Sequence, residues 1–265
     1  MLGAIVGDIA GDVYEFDPVK SNDIELITPD SSYTDDTVMT LAVAEWLRTD
    51  PEHTSETLVS IMRQYGRLDM QRGYGGLFYD WLESDFPRPY GSFGNGSGMR
   101  VSPIGMYAHS LGEALDLAKR SAEVTHNHPE GIKGAQAIAA ATYLWRVGLT
   151  KEEIKTYIEQ TFSYNLHRTL DEIRPDYDFD ETCQGSVPES ILCFLEGTSF
   201  EDVIRNAISL GGDSDTMAAM AGGIAAARNE APWRIPEHLA KKCYDLLDPF
   251  FQNVLNQFES FILSK

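Results

Sequence analysis

Apolar residues run along this chain in stretches too long for strands and too unbroken for surface helices. Segments 38–48 (VMTLAVAEWLR), 133–147 (KGAQAIAAATYLWRV) and 217–228 (MAAMAGGIAAAR) are rich in Ala, Leu and Met and apolar nearly all round. That pattern predicts helices at the centre of a helical assembly rather than on its surface. Segments 54–65, 111–120, 151–162, 187–196 and 200–210 have the amphipathic spacing of outer helices. The stretch 237–263 reads as two helices broken near Pro249, because proline lacks the N–H that a continuing helix needs. Only 23–28 (DIELIT) carries a strand signal. Repeats of solenoid period, low-complexity tracts and strand–helix alternation are absent from the sequence. The expected fold class is all-α, one domain over residues 1–265. Two polar loops interrupt the pattern, 84–105 and 165–186, both rich in Gly, Pro and acids. Long loops in a compact helical domain are often functional.

Composition changes this picture in two ways. A chain of 265 residues can remove roughly 70–75% of its unfolded surface from water, so it needs no disulfides. Cys183, Cys193 and Cys243 show neither CxxC pairing nor metal-like spacing with His, which points to a reducing, cytoplasmic compartment. The N-terminus, MLGAIVGDIAGDVYEF, has no basic region and acids interrupt its apolar run, unlike a signal peptide. No apolar run reaches the roughly 18 residues of a membrane span. The second change is electrostatic. Forty-one acids against 21 bases leave a formal charge of −20. That disfavours a general nucleic-acid binder, which needs Lys and Arg to displace phosphate counterions. A phosphate-bearing ligand would meet a repulsive field that local dipoles or metal ions must overcome.

The strongest chemical signal is a matched pair of acidic helix starts. Tyr33-Thr34-Asp35-Asp36-Thr37 opens one apolar helix, and Gly212-Asp213-Ser214-Asp215-Thr216 opens another. Either alone is what helix capping requires, since side-chain oxygens accept from orphan N–H groups for about 1 kcal/mol. Together they exceed that need: each supplies two carboxylates and a hydroxyl ahead of a helix too apolar for the surface. Two unpaired carboxylates about 4 Å apart repel by roughly 4 kcal/mol at an effective dielectric of 20. Neither motif contains Lys or Arg, so the expected compensation is a metal. An all-oxygen donor set selects hard ions, Mg²⁺ or Mn²⁺, and the lack of Cys or His in either motif disfavours zinc. Near the N-terminus Gly3, Gly7 and Gly11 give one helix face of bare backbone, while Asp8, Asp12 and Glu15 line another. The small, apolar surroundings favour an inward-pointing Glu15.

Gly94-Asn95-Gly96-Ser97-Gly98-Met99-Arg100 offers many unobstructed backbone N–H groups, a cradle that suits a diphosphate. No strand precedes it, so a dinucleotide-fold reading fails its context, and there is no P-loop lysine. His126, in Thr125-His126-Asn127-His128-Pro129, suits a structural polar role or a substrate contact better than a zinc pair. His53, His109, His167 and His238 read as surface or structural residues.

With these motifs in order, the chain resembles the ADP-ribosylglycohydrolase family. The matching stretches are GAIVGDIAGDVYEF (3–16), YTDDTVMTLA (33–42), GNGSGMRVSPIG (94–105), THNHPEGIKGA (125–135) and GGDSDTMAAMAGGIAAA (211–227). The resemblance implies an orthogonal helical bundle with two Mg²⁺ or Mn²⁺ ions in a central cleft. By position, it makes Thr34, Asp35 and Asp36 ligands of one ion, and Asp213, Asp215 and Thr216 ligands of the other, with Asp215 able to bridge. Glu15, Asp35 and Asp215 become the catalytic candidates. Gly94, Asn95, Gly96 and Ser97 match the loop that contacts the diphosphate and adenosine. Ser92 and Phe93 match adjoining contacts, and His126 a position beside the distal ribose. Phe93 stands where Tyr is often found, Ser214 replaces a commoner Thr, and the chain is short for the family, so loops that read the acceptor are expected to be reduced.

The implied reaction is hydrolysis at the anomeric carbon of the distal ribose, releasing ADP-ribose from a protein or small-molecule acceptor, with nucleic acid entering only as a modified substrate. An all-α nucleotide phosphohydrolase would call for His-Asp dipeptides or paired E-x-x-E motifs, and a non-catalytic ADP-ribose-binding relative would not need the full acidic set.

Overall fold

The computed structural model describes residues 1–264. Among them the regular elements are helices: no strand forms, and β pairing is limited to one isolated antiparallel bridge between Gly94 and Thr182. The centre holds α1 (Leu2–Gly11) and α2 (Asp35–Thr49). Around them run α3 (Ser55–Gly66), α4 (Gly76–Glu83), α5 (Ser102–Tyr107), α6 (Leu111–Glu123) and α7 (Pro129–Arg146). The second half adds α8 (Lys151–Phe162), α9 (Leu170–Ile173), α10 (Cys183–Glu196), α11 (Phe200–Ser209) and α12 (Ser214–Ala225). It ends in α13 (Glu237–Leu246) and α14 (Pro249–Leu263), split at the proline as the sequence predicts. No helix of the described residues is long and apolar enough to cross a membrane.

The apolar segments become the interior. Every residue of α12 is buried, as are most of α2 and α7. The amphipathic helices α3, α6 and α11 pack on α2, α7 and α12 respectively, and α14 covers α2. One contact positions everything that follows. A Cβ on Gly7 would stand 2.1 Å from the Ala218 carbonyl oxygen, and one on Gly11 would stand 2.4 Å from the Asp215 Cα. Backbone therefore lies on backbone along the α1–α12 seam, closer than any other residue would permit. This draws the end of α1 against the start of α12.

The DIELIT segment is irregular instead of a strand. Its Leu26 and Ile27 are buried against helices, and its neighbours offer no free strand edge to complete a ladder, so burial is met without pairing. The Asp8–Asp12–Glu15 face is also interrupted: α1 stops at Gly11 and a 3₁₀ turn, Asp12–Tyr14, carries the chain to Glu15.

Candidate active site

The two acidic helix starts lie side by side. Thr216 Oγ1 at the head of α12 donates to Asp36 Oδ2 in the first turn of α2, at 2.9 Å. Capping accounts for little of what is there. At α2, Thr34 is the N-cap residue and its hydroxyl accepts from the Asp36 N–H. The Asp35 N–H donates to the Arg72 carbonyl at 2.7 Å, and Asp8 Oδ2 accepts from the amides of Thr34 and Thr37, both at 3.0 Å. The Thr34 hydroxyl donates to Asp8 as well, at 2.8 Å. Asp8 on α1 is thus the anchor of α2, and Asp35 and Asp36 are left over. At α12 the N-cap residue Asp213 makes no cap hydrogen bond; its carboxylate instead accepts from Asn95 Nδ2 at 2.6 Å.

Glu15, Asp213 and Asp215 bring carboxylate oxygens within 4.8 Å of one another. Asp36 and Asp215 are buried, and Asp35 is partly open to the cleft. No Lys or Arg among the described residues pairs with any of these acids or with Asp8. Burial first, and then the neighbouring carboxylates, pushes Asp35, Asp36 and Asp215 well above the ordinary carboxylate range. Burial likewise raises Asp213. Glu15 is pushed up to about 7 by burial and by Asp213, Asp12 and Asp8, and burial takes Asp8 to about 6. Asp36 Oδ1 is buried with no hydrogen-bond partner. The cluster holds more negative charge than the protein neutralises.

These groups line part of a cleft of roughly 320 Å³, a size suited to a small-molecule ligand. Glu15, Asp35, Asp36, Asp213, Asp215 and Thr216 line it as the acidic group, and Ser92, Gly94, Asn95, Gly96 and His126 line it as the glycine-loop group, the two meeting where Asn95 donates to Asp213. Thr34, Phe93 and Ser97 fall outside the lining. Thr34 is turned to Asp8. The Phe93 ring is exposed and packs 5.3 Å from His128. The Ser97 hydroxyl donates to the Gly131 carbonyl at 2.7 Å, tying the loop to the start of α7.

The glycine loop is held from two further sides. Asn95 N–H donates to the Glu181 carbonyl at 2.7 Å and Cys183 N–H to the Phe93 carbonyl at 2.8 Å, which docks the loop on the start of α10. Arg100, 1% exposed, donates to the Gly96 carbonyl at 3.0 Å and the Ser121 carbonyl at 2.7 Å. Its acceptors are all neutral, and burial lowers its guanidinium to about 10. Burial and the Arg100 cation hold His126 well below its ordinary value, so the ring is neutral.

Several of these roles have no local signal in the sequence. Asp8 carried no signal as an anchor, since its partners lie 26 and 29 positions away. Phe179 and Glu181 line the cleft from within the 165–186 loop, where loop length pointed to the segment but to no residue. Gly73 and Gly75 line it with no signal at all.

A family model described as ADP-ribosylglycohydrolase matches residues 1–262. The chain belongs to the ADP-ribosylglycohydrolase family. It is 28% identical to the mouse protein ADP-ribosylhydrolase ARH3, covering 92% of this chain and 86% of that one. The human protein of the same name is 27% identical, covering 98% and 92%. A Pseudomonas putida protein named ADP-ribosylarginine hydrolase Tri1 is 23% identical, covering 91% and 72%. A solved structure titled ADP-ribosylglycohydrolase-related protein complex superposes with a TM-score of 0.74 at 22% identity, covering 97% of this chain and 95% of that one, which establishes the shared fold. In this family member, then, the acidic helix starts and the glycine loop line one cleft and touch through Asn95 and Asp213.

Proposed function

We propose that this chain hydrolyses ADP-ribosyl groups, cleaving at the anomeric carbon of the distal ribose and releasing ADP-ribose from an acceptor. The observation that carries this reading is the make-up of the cleft, lined by six acidic or hydroxyl groups and by a glycine loop joined to them through Asn95. The names of its relatives, hydrolases of ADP-ribosyl groups, agree with it.

The acidic group suits two divalent cations. Its donors are all oxygens, which favours Mg²⁺ or Mn²⁺. Both threonine protons are already committed, Thr34 to Asp8 and Thr216 to Asp36, and the Thr34 oxygen also accepts from the Asp36 N–H, which leaves one lone pair there and two on Thr216 for a cation. Thr34, Asp35 and Asp36 would hold one ion and Asp213, Asp215 and Thr216 the other, with Asp215 shared. Bound there, the ions would neutralise the carboxylates and supply Lewis-acid contacts for ribose hydroxyls and water.

The chain's own groups do the rest. Glu15, half-buried beside Asp213 and Asp215, is placed to take a proton from the attacking water or return one to the leaving group. Asn95 fixes the Asp213 carboxylate, and because it belongs to the glycine loop it sets the distance between the two groups. The amides of Gly94, Asn95, Gly98 and Met99 are already bonded to Ser92 Oγ, the Glu181 carbonyl and the Asn95 carbonyl, so the unobstructed loop surface at Gly94 and Gly96 together with His126 holds the diphosphate and ribose, and the anomeric carbon is delivered to the acidic group.

The test is release of free ADP-ribose from ADP-ribosylated arginine, serine and O-acetyl substrates with Mg²⁺, using Asp215→Ala as control. Release from at least one substrate that Asp215→Ala abolishes supports the reading. No release from any, or release indifferent to that substitution, sinks it; binding of ADP-ribose without turnover would mark a non-catalytic binder.

A further inference from the structure

His126 is 5% exposed, and its Nε2 makes no hydrogen bond to protein. That atom faces the glycine loop: a Cβ on Gly96 would stand 3.2 Å from it and one on Gly94 3.6 Å. Glycine at both positions keeps the space in front of Nε2 open to the cleft that His126 lines.

The other ring nitrogen belongs to a chain of buried hydrogen bonds. Arg100 Nη2 donates to Thr125 Oγ1 at 3.0 Å, and Thr125 Oγ1 lies 2.7 Å from His126 Nδ1. A guanidinium can only donate, so the threonine oxygen receives that proton on a lone pair. Thr125 is fully buried and its hydroxyl has one hydrogen. If His126 Nδ1 also donated, that hydrogen would be left in the interior with no acceptor, an arrangement folded proteins avoid. The hydroxyl must therefore give its hydrogen to Nδ1, and the neutral ring carries its own proton on Nε2.

We infer that Arg100 and Thr125 are positioning residues that lock His126 as its Nε2–H tautomer, aimed into the cleft as a fixed donor for an oxygen acceptor of the ligand. The acceptor is a phosphate or ribose oxygen seated between His126 and the Gly94–Gly96 backbone. This ligand assignment rests on the function proposed above, whereas the tautomer does not. Arg100 serves both sides of that seat, since the same guanidinium that polarises Thr125 also holds the Gly96 carbonyl. Donor and loop are thereby set at a constant separation.

The test is two-bond ¹H–¹⁵N correlation on histidine-labelled protein, with ADP-ribose as the probe. In the free protein His126 should show the Nε2–H pattern alone, and an Nδ1–H pattern would overturn the inference. Added ADP-ribose should shift the Nε2 resonance; binding seen by calorimetry with that resonance unmoved would overturn the ligand assignment. Thr125→Val should mix the tautomers and weaken ADP-ribose by about 3- to 10-fold, while Thr125→Ser should restore both. If the valine variant keeps wild-type tautomer and affinity, Thr125 is not the positioning group. Should Thr125→Val fail to fold, the free-protein tautomer and the serine variant still decide the matter. Wild-type protein that binds no ADP-ribose would sink the functional proposal while leaving the tautomer decided.

Discussion

The two groups that line the cleft are built on opposite electrostatic plans. In the acidic group, carboxylates from the end of α1, the start of α2 and the start of α12 are pressed together with no cation from the protein. Around the glycine loop, the polar groups that hold it are matched internally: Ser97 to Gly131, Asn95 to Glu181, Arg100 to Gly96 and Thr125. One stores unfavourable charge that a ligand must relieve, and the other is organised before any ligand arrives. A cleft made this way binds by two routes, and substitutions in its two groups should move stability in opposite directions.

The largest effect is expected in the acidic group. Asp215→Asn removes a charge from the cluster and should lower ADP-ribose release by about 10³-fold or more. The same substitution should raise the unfolding temperature of metal-free protein, because one buried like charge is gone. A metal-free variant less stable than wild type would mean that Asp215 is structural and that the contrast between the groups is wrong.

Acidity offers a second way to break the comparison. Glu15 sits at about 7 and Asp8 at about 6 in the folded protein, against 4.5 and 3.8 for the free side chains. Between about pH 4 and pH 7 the native state therefore binds more protons than the unfolded chain, so metal-free stability should fall as pH rises through that window. Asp8 alone implies on the order of 2 kcal/mol, or roughly 5 °C in unfolding temperature at this chain length. Mg²⁺ should flatten the profile and raise the unfolding temperature more at pH 8 than at pH 5. Scanning calorimetry at both pH values, with Mg²⁺ and with chelator, makes the comparison; a metal-free profile that rises with pH would refute it.

Asn95 is where the two plans meet, since it lies in the glycine loop and donates to Asp213. Asn95→Ala should cost about tenfold in kcat through a mobile Asp213, roughly 1.4 kcal/mol, with a smaller change in KM. A loss confined to KM would assign Asn95 to ligand binding alone.

How much of this was legible in the sequence follows from the range of each interaction. The Gly3–Gly7–Gly11 stripe and the apolar runs are local patterns, and they foretold a buried seam and central helices. The acidic motifs were legible as surplus charge because capping has a known local demand. Asp8 was read only as part of a helix face, because its capping of α2 is created by the seam and crosses 26 positions. DIELIT misled because alternation reports burial on one side, which a helical surface can satisfy as well as a sheet. Ser97 matched a ligand-contact position, yet its hydroxyl is spent on Gly131, a partner 34 positions on that no spacing rule could name.

The smallest expected effect is also the sharpest on sign. Ser97→Ala deletes a buried hydroxyl and its hydrogen bond to the Gly131 carbonyl, which should lower stability by about 1 kcal/mol and the unfolding temperature by roughly 2–4 °C. The loop would loosen with it, so ADP-ribose affinity should fall by about two- to threefold. Ser97→Ala and Asp215→Asn each replace one buried polar group, the first behind the glycine loop and the second in the cleft lining. Metal-free unfolding measured side by side should show the serine variant below wild type and the aspartate variant above it. Shifts of the same sign would show that the two groups share one energetic design, and that the unpaired carboxylates are compensated within the protein after all.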